Sequence, residues 1–300
     1  MNRVTRWLSV PRDTETIQRS LTRKFSTAAI RSSAPFLSGD TFKLASDIVL
    51  QGNFMQELSD AVSINMSRPV RVFSPAGPMS DIPFKLSKWL SANAEFDLGS
   101  VDLIIHNGDS IPNIDTYTQY ASRFRRVHSV NWLGDSAITN PLPIGLENFE
   151  KQVNGVPADY LKIIDRGLRT WDDRDIALLI CFSLSTNPVE RNRAMQVAKD
   201  IPGSYIVEKP ITPRRYRDLV CRSRFVLSPP GNGPDCHRTW EAVYLGATPI
   251  VSQMHWGFLH HNLPVLPVRQ WVDVKSVVSR PPSIEPTTIN WSDVNYWLEL

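Results

Sequence analysis

Arg238 and Glu241 stand one helical turn apart in a helix-forming stretch, so their side chains share a face. An arginine placed there can neutralise a diphosphate, and a carboxylate one turn on can accept hydrogen bonds from a ribose diol. A nucleotide sugar offers both groups. An ordinary intrahelical Arg–Glu pair has the same spacing, so what precedes the pair matters. Residues 229–234 read Pro-Pro-Gly-Asn-Gly-Pro, a run of turn formers between an apolar segment at 224–227 and the helix. Asp235 is placed to cap the helix, which should run to about residue 245. Gly246 closes it, and 248–251 form a second buried strand. The unit is βαβ, with its Gly/Pro-rich loop at a strand's carboxyl end and a helix N-terminus. Open α/β sheets bind ligands there, and free backbone N–H groups attract phosphate. Gly231, Asn232, Gly233 and His237 therefore join Arg238 and Glu241 as candidate ligand contacts.

A second loop has similar chemistry. The apolar strand at 176–182 ends in Ser183, Ser185, Thr186 and Asn187, before a helix that starts at Pro188 and carries Arg191 and Arg193. Small hydroxyls can bond phosphate or sugar oxygens, and Arg191 can reach a diphosphate. Capping of the helix by the same residues is compatible with that role. In the first half, the apolar strand 101–105 runs into His106, Asn107 and Asp109. His106 or Asp109 could take a proton from an attacking hydroxyl. Asp40 is a further candidate base, although capping a helix explains it nearly as well. Asn107, Asn131 and Glu147 follow strand-like segments and could contact a second substrate.

The segment 224–252 resembles the donor-binding part of the exostosin family of glycosyltransferases. The matching positions are Pro230, Gly231, Arg238, Glu241, Ala242, Gly246 and Pro249. A weaker likeness runs from Phe36 onward, through FLSGDTF, DLIIHNGD, PIGLEN and FSLSTNPVERNR. The resemblance implies an α/β fold of two doubly wound Rossmann-like domains facing a cleft, the GT-B arrangement. It implies transfer of a sugar from a nucleoside-diphosphate sugar to a glycan or other hydroxyl acceptor; the transfer is expected to be inverting and, with no Asp-x-Asp at a strand's carboxyl end, metal-independent. The donor would meet Ser183, Thr186, Asn187, Arg191, Gly231, Asn232, Gly233, His237, Arg238 and Glu241. Arg238 would neutralise the leaving diphosphate and Glu241 would hold the ribose, while Asn107, Asn131 and Glu147 would face the acceptor. No cofactor is expected beyond the donor substrate. A binding module of the same fold with no catalysis, and a nucleotide-sugar epimerase, are the alternatives.

Composition excludes several other classes. The formal net charge of +3 is too small to argue for a nucleic acid or an anionic membrane, and 42% hydrophobic residues suit ordinary cores. The only Asp-x-Asp spelling of interest, Asp173-Arg174-Asp175, precedes a strand, which is the wrong edge of a sheet for a diphosphate-bound metal. Cys181, Cys221 and Cys236, with His255, His260 and His261, lack zinc-ligand spacing. The G-x-G-x-x-G fingerprint is absent from both halves, which disfavours an oxidoreductase, and neither a Walker loop nor a G-x-S-x-G elbow is present. No run of about 18 apolar residues points to a membrane span. Residues 1–33 are rich in Arg, Ser and Thr, with only Asp13 and Glu15 acidic. A cytoplasmic location is expected, with an organelle-targeting leader as the alternative.

Periodicity supplies the elements that must hold these residues. After the leader 1–33, a helix should begin at Ser38 or Asp40 with Phe42, Leu44, Ala45, Ile48 and Val49 as its buried stripe. Strands are expected at 70–73, 101–105 and 127–130, and helices at 82–90 and 117–124. These form a first domain, 34–150. A polar stretch, 151–173, reads as a linker. In the second domain, 174–300, strands at 176–182, 205–207, 224–227, 248–251 and 265–268 alternate with helices at 188–199, 212–221 and about 235–245.

Overall fold

The computed structural model describes residues 32–76, 82–109, 121–132, 139–253, 263–279 and 292–299. It is an α/β protein with two parallel sheets of five strands each. The first half opens with α1 (Gly39–Leu44), β1 (Ile48–Val49), α2 (Phe54–Ser63), β2 (Val70–Pro75), α3 (Ile82–Ala92), β3 (Leu98–His106), β4 (Phe124–Val130) and β5 (Thr139–Leu142). Helix α4 (Pro157–Asp165) follows. The second half holds β6 (Ile176–Ile180), α5 (Pro188–Ala198), β7 (Ser204–Ile206), α6 (Pro213–Arg222), β8 (Ser223–Leu227), α7 (His237–Tyr244), β9 (Thr248–Ser252), β10 (Leu266–Val268), α8 (Val274–Val278) and α9 (Val294–Glu299).

The two sheets are wound differently. The second has the order β10-β9-β8-β6-β7, so the chain reverses direction across the sheet between β6 and β8, as a doubly wound sheet must. The first runs β1-β2-β3-β4-β5, in chain order, and has no such reversal among the described residues. Right-handed crossovers then place successive helices on one face. Accordingly Leu58 of α2 and Leu86 of α3 share one apolar cluster with Val72, Leu103 and Val127 of β2, β3 and β4. Among the described residues, double winding, expected for both halves, is seen in the second alone.

Several local expectations are corrected. The first helix ends at Leu44, where Ser38 and Thr41 close a capping box at its start. Ile48 and Val49, read as its buried stripe, instead pair with Val72 and Phe73 as β1, as suits β-branched residues. The stretch expected as a linker contains α4, whose Tyr160 is fully buried against Phe36 at 5.4 Å. Arg217 of α6 reaches back to Asp159 and Asn154, tying that stretch to the second half. Of the helix expected at 117–124, residues before 121 lie outside the described residues, and Phe124 opens β4.

One core spans both sheets. Phe36, Phe73, Ile104 and Val130 of the first half join Leu179, Val226, Trp240 and Tyr244 of the second in a single buried cluster. Helix α9 then returns to the first sheet: Arg71 donates to Asn295 Oδ1 at 3.0 Å and Arg126 to the Glu299 carbonyl at 2.9 Å. Trp297 of the same helix packs edge-on to Trp240. The last described helix thus packs on both halves, and the shared cluster joins two halves that each keep a further cluster of their own. No helix among the described residues is long and apolar enough to cross a membrane.

Candidate functional site

The loops after β6 and β8 leave the sheet at its reversal point, where the flanking crossovers diverge and a crevice opens. A cavity of about 990 Å³ lies there. It is floored by 181–186 and 231–238 of the second half and walled by Asp109, Ile144 and Glu147 of the first and by Val153 and Asn154 of the stretch that follows it. The loop 229–236 reaches across to the first sheet. At Gly233 a Cβ would stand 2.6 Å from Asn131 Nδ2 and 2.7 Å from the Asp109 carbonyl, so only glycine permits this approach.

Two guanidinium groups dominate the electrostatics. Arg191, 5% exposed, donates from Nε to the Pro230 carbonyl at 3.0 Å and from Nη1 to the Ser183 carbonyl at 2.6 Å. Arg238 donates from Nε to the Cys181 carbonyl at 2.9 Å, and its buried Nη1 has no hydrogen-bond partner. Both cations contact the ring of Phe182, at 5.8 and 5.3 Å from its centre. Such cation–π contacts contribute about 0.5–2 kcal/mol apiece and hold both groups at the cavity wall. Most neighbouring arginines are neutralised: Arg193 by Glu190, Arg215 by Asp218, Arg217 by Asp159 and Arg222 by Asp175. Arg191 and Arg238 have no such carboxylate partner among the described residues. Burial lowers the pKa of Arg191, and the charge of Arg238 lowers it further. Two desolvated cations of this kind leave an electrostatic need that an anion entering the cavity would meet.

Helix α7 begins at the same place. Its N-cap residue is Cys236, with no side-chain cap. The Asp235 carboxylate, expected to cap this helix, is committed elsewhere. It accepts from Cys236 N at 2.7 Å, from Trp240 Nε1 at 2.9 Å and from the Ile144 amide of the first half at 2.7 Å. The α7 amides therefore add a further positive end beside the arginines. Glu241, 4% exposed, lines the cavity one turn along, and burial raises its pKa. Tyr216 of α6 lines the cavity too, with its buried hydroxyl beside the Glu241 carboxylate. Sequence reading missed Tyr216 and the adjoining wall at 206–211. The one legible signal was Pro210 and Pro213, which bracket a turn after a strand's carboxyl end.

The residues singled out from sequence fall into two sets. Ser183, Thr186, Arg191, Gly231, Asn232, Gly233, His237, Arg238 and Glu241 are brought together around the cavity. Asn187 sits behind it: its Oδ1 caps α5 through Glu190 N, and its Nδ2 donates to the Gly231 carbonyl at 3.1 Å, bracing the loop. From the first half, Asp109 and Glu147 reach the cavity wall. Asp109 accepts from Asn232 Nδ2 at 3.1 Å and Glu147 from the Asn154 amide at 3.0 Å. His106, Asp40, Asn107 and Asn131 do not line it.

Each of these four is engaged in structure. His106, 1% exposed, donates from Nε2 to the Pro143 carbonyl at 3.0 Å and accepts from the Asn107 amide at Nδ1, while its ring stacks on Phe42. Burial lowers its pKa to about 4. Asp40 accepts from Phe149 N at 2.7 Å and from Ser33. Asn107 accepts from Asn148 Nδ2. Asn131 bridges the Gly108 carbonyl and the Asp235 amide.

The Asp173-Arg174-Asp175 triplet lies at the opposite edge of the sheet. Arg174 is 2% exposed and donates to the carbonyls of Ser223 and Leu245, so it ties the ends of α6 and α7 together. Among the described residues, no group of three or more His, Cys, Asp or Glu side chains could hold a metal ion; His255, His260 and His261 lie outside those residues. No protein-family model and no curated protein matches this chain.

Proposed function

We propose that this protein is a glycosyltransferase of GT-B type, moving a sugar from a nucleoside-diphosphate sugar to a hydroxyl acceptor, as the resemblance to exostosins implies. The observation that carries the reading is the pair Arg191 and Arg238. Both are partly or wholly buried against Phe182, both lack a carboxylate, and both stand at the uncapped N-terminus of α7. A diphosphate carries two adjacent negative groups and fits that need. Glu241, further along α7 in the same cavity, is placed to accept from the ribose hydroxyls. The cavity volume of about 990 Å³ lies at the top of the range for small-molecule sites and leaves room for a sugar beside the nucleotide. As the C–O bond to the donor breaks, charge grows on the diphosphate, and preorganised arginines stabilise that charge without reorganisation.

Calorimetry with uridine and guanosine mono- and diphosphates tests the reading. At least one diphosphate should bind about tenfold tighter than its monophosphate, the worth of one added charge-assisted contact. Equal or absent binding of both phosphate forms would sink it.

A further inference from the structure

We propose that His237 is the group that takes the proton from the acceptor hydroxyl, an inference that rests on the glycosyl-transfer reading. His237 is the first residue of α7 and half-buried at the cavity. Its Nδ1 lies 2.8 Å from the Gly145 carbonyl, which belongs to the first half of the chain. A carbonyl only accepts, so Nδ1 carries the proton, and Nε2 of the neutral ring keeps its lone pair. The partner is held firmly. Gly145 has φ +68°, and a Cβ there would stand 2.0 Å from the Leu37 carbonyl. The Leu146 amide also donates to that Leu37 carbonyl at 2.6 Å. The backbone that orients the imidazole is thus fixed by a conformation and a close approach that need glycine.

Position favours His237 over His106 and Asp40. A base must stand where donor and acceptor meet. His237 is anchored to the first half through Gly145 and borders the diphosphate arginines through its neighbour Arg238. His106 has both ring nitrogens committed, and Asp40 is bound by Phe149 and Ser33. The charged groups facing His237 are Asp235 and Glu241 from its own loop and helix, and His106 from β3 if protonated. In the step itself, the acceptor O–H proton passes to Nε2 and the oxygen bonds the anomeric carbon. The bond from that carbon to the diphosphate oxygen breaks, and its electron pair leaves with the nucleoside diphosphate towards Arg238 and Arg191. The Gly145 carbonyl, already bonded to Nδ1–H, stabilises the resulting imidazolium.

The test uses the whole chain with UDP-glucose, UDP-galactose, UDP-N-acetylglucosamine, UDP-glucuronate, GDP-mannose and GDP-fucose, water serving as acceptor and released nucleoside diphosphate as readout. His237→Asn keeps an amide donor where Nδ1 stands and removes Nε2. It should bind the nucleoside diphosphate within about twofold of wild type while turnover falls about 10²- to 10⁴-fold and the acid limb of the pH profile disappears. Turnover retained within about fivefold overturns the inference and leaves the transfer reading standing. So does a parallel loss of turnover and diphosphate affinity, which would make His237 a donor contact only. Release from none of these donors by wild type would overturn the transfer reading and this inference with it. His237→Gln is the second variant. If neither folds, wild-type turnover that is flat between about pH 5 and 8 overturns the inference; an acid limb that survives in Asp235→Asn supports it, and one that is lost there overturns it.

Discussion

The Asp235 carboxylate accepts the Ile144 amide at 2.7 Å, joining the cavity-facing loop of the second sheet to the segment that follows β5 of the first. The same carboxylate holds the Trp240 indole and the Cys236 amide, and the Asp235 amide donates to Asn131 Oδ1. With His237 on the Gly145 carbonyl and the Leu37 amide on Tyr244 Oη at 2.9 Å, the two halves meet through a set of buried, directional bonds around the cavity. These bonds and the shared core fix the cavity walls before any ligand arrives, and preorganisation of that kind lowers the ordering cost of binding.

Asp235→Ala would leave three donors without their acceptor, one of them from the other half of the chain. A loss of about 3–5 kcal/mol is expected, since buried unsatisfied donors are costly. Urea denaturation measures it. A loss below about 1 kcal/mol would mean that water replaces the carboxylate and the bridge is dispensable.

Arg238→Ala and Arg191→Ala should each weaken nucleoside-diphosphate binding at least about tenfold, the value of a charge-assisted hydrogen bond. Arg238→Ala should leave the fold intact, because that side chain makes a single backbone hydrogen bond, to the Cys181 carbonyl. Arg191→Ala should also lower stability, because Arg191 binds the carbonyls of Pro230 and Ser183. Calorimetry on folded variants decides; unchanged affinity in both removes the diphosphate assignment.

Glu241→Gln should reduce affinity for a nucleoside diphosphate much more than for pyrophosphate, because pyrophosphate has no ribose. Comparable losses with both ligands would show that Glu241 acts on the arginines and not on the sugar. The comparison needs only two titrations per protein.

Acid stability should be governed by two buried histidines. Burial lowers His106 to about 4 and His128 to about 3, against an ordinary 6.5. Each contributes stability that is present above pH 6.5 and is lost as pH falls towards the folded value. Asp235 works the other way. Burial raises it from 3.8 to about 6, so the folded state takes up that proton first and gains stability as pH falls from about 6 towards 4. The histidines have the larger combined shift, so melting temperature should fall from pH 6.5 to pH 4. The His128 side chain is fully buried, so an apolar ring of similar size can take its place. His128→Phe should therefore flatten the fall, leaving His106 and Asp235 nearly to cancel. An unchanged slope would show that His128 is not buried neutral in solution.

Period and turn chemistry made much of the second half legible from residues alone. Strand β8, the Pro-Gly loop, α7 and β9 stand close to where the apolar runs, Pro230, Gly231 and Gly246 put them, because each is specified within a few residues. The same locality explains why Arg191, Arg238 and Glu241 could be singled out: they occupy helices that start at strand ends. Spacing along a chain says nothing, however, of which side chains are consumed by distant partners. His106 and Asp109 looked alike at the end of β3, yet one is stacked under Phe42 and the other faces the cavity. Asp235 looked like a helix cap until the amide of Ile144, 91 residues away, claimed its carboxylate. Sheet order is non-local in the same sense. Alternating strands and helices are compatible with a reversing or a monotonic arrangement, and only the packing of helices on one or both faces separates the first sheet from the second. Tertiary structure also decided that α9 closes back on the first sheet and that a shared cluster joins the two halves, because burial of Trp240, Tyr244 and Trp297 requires surfaces from both.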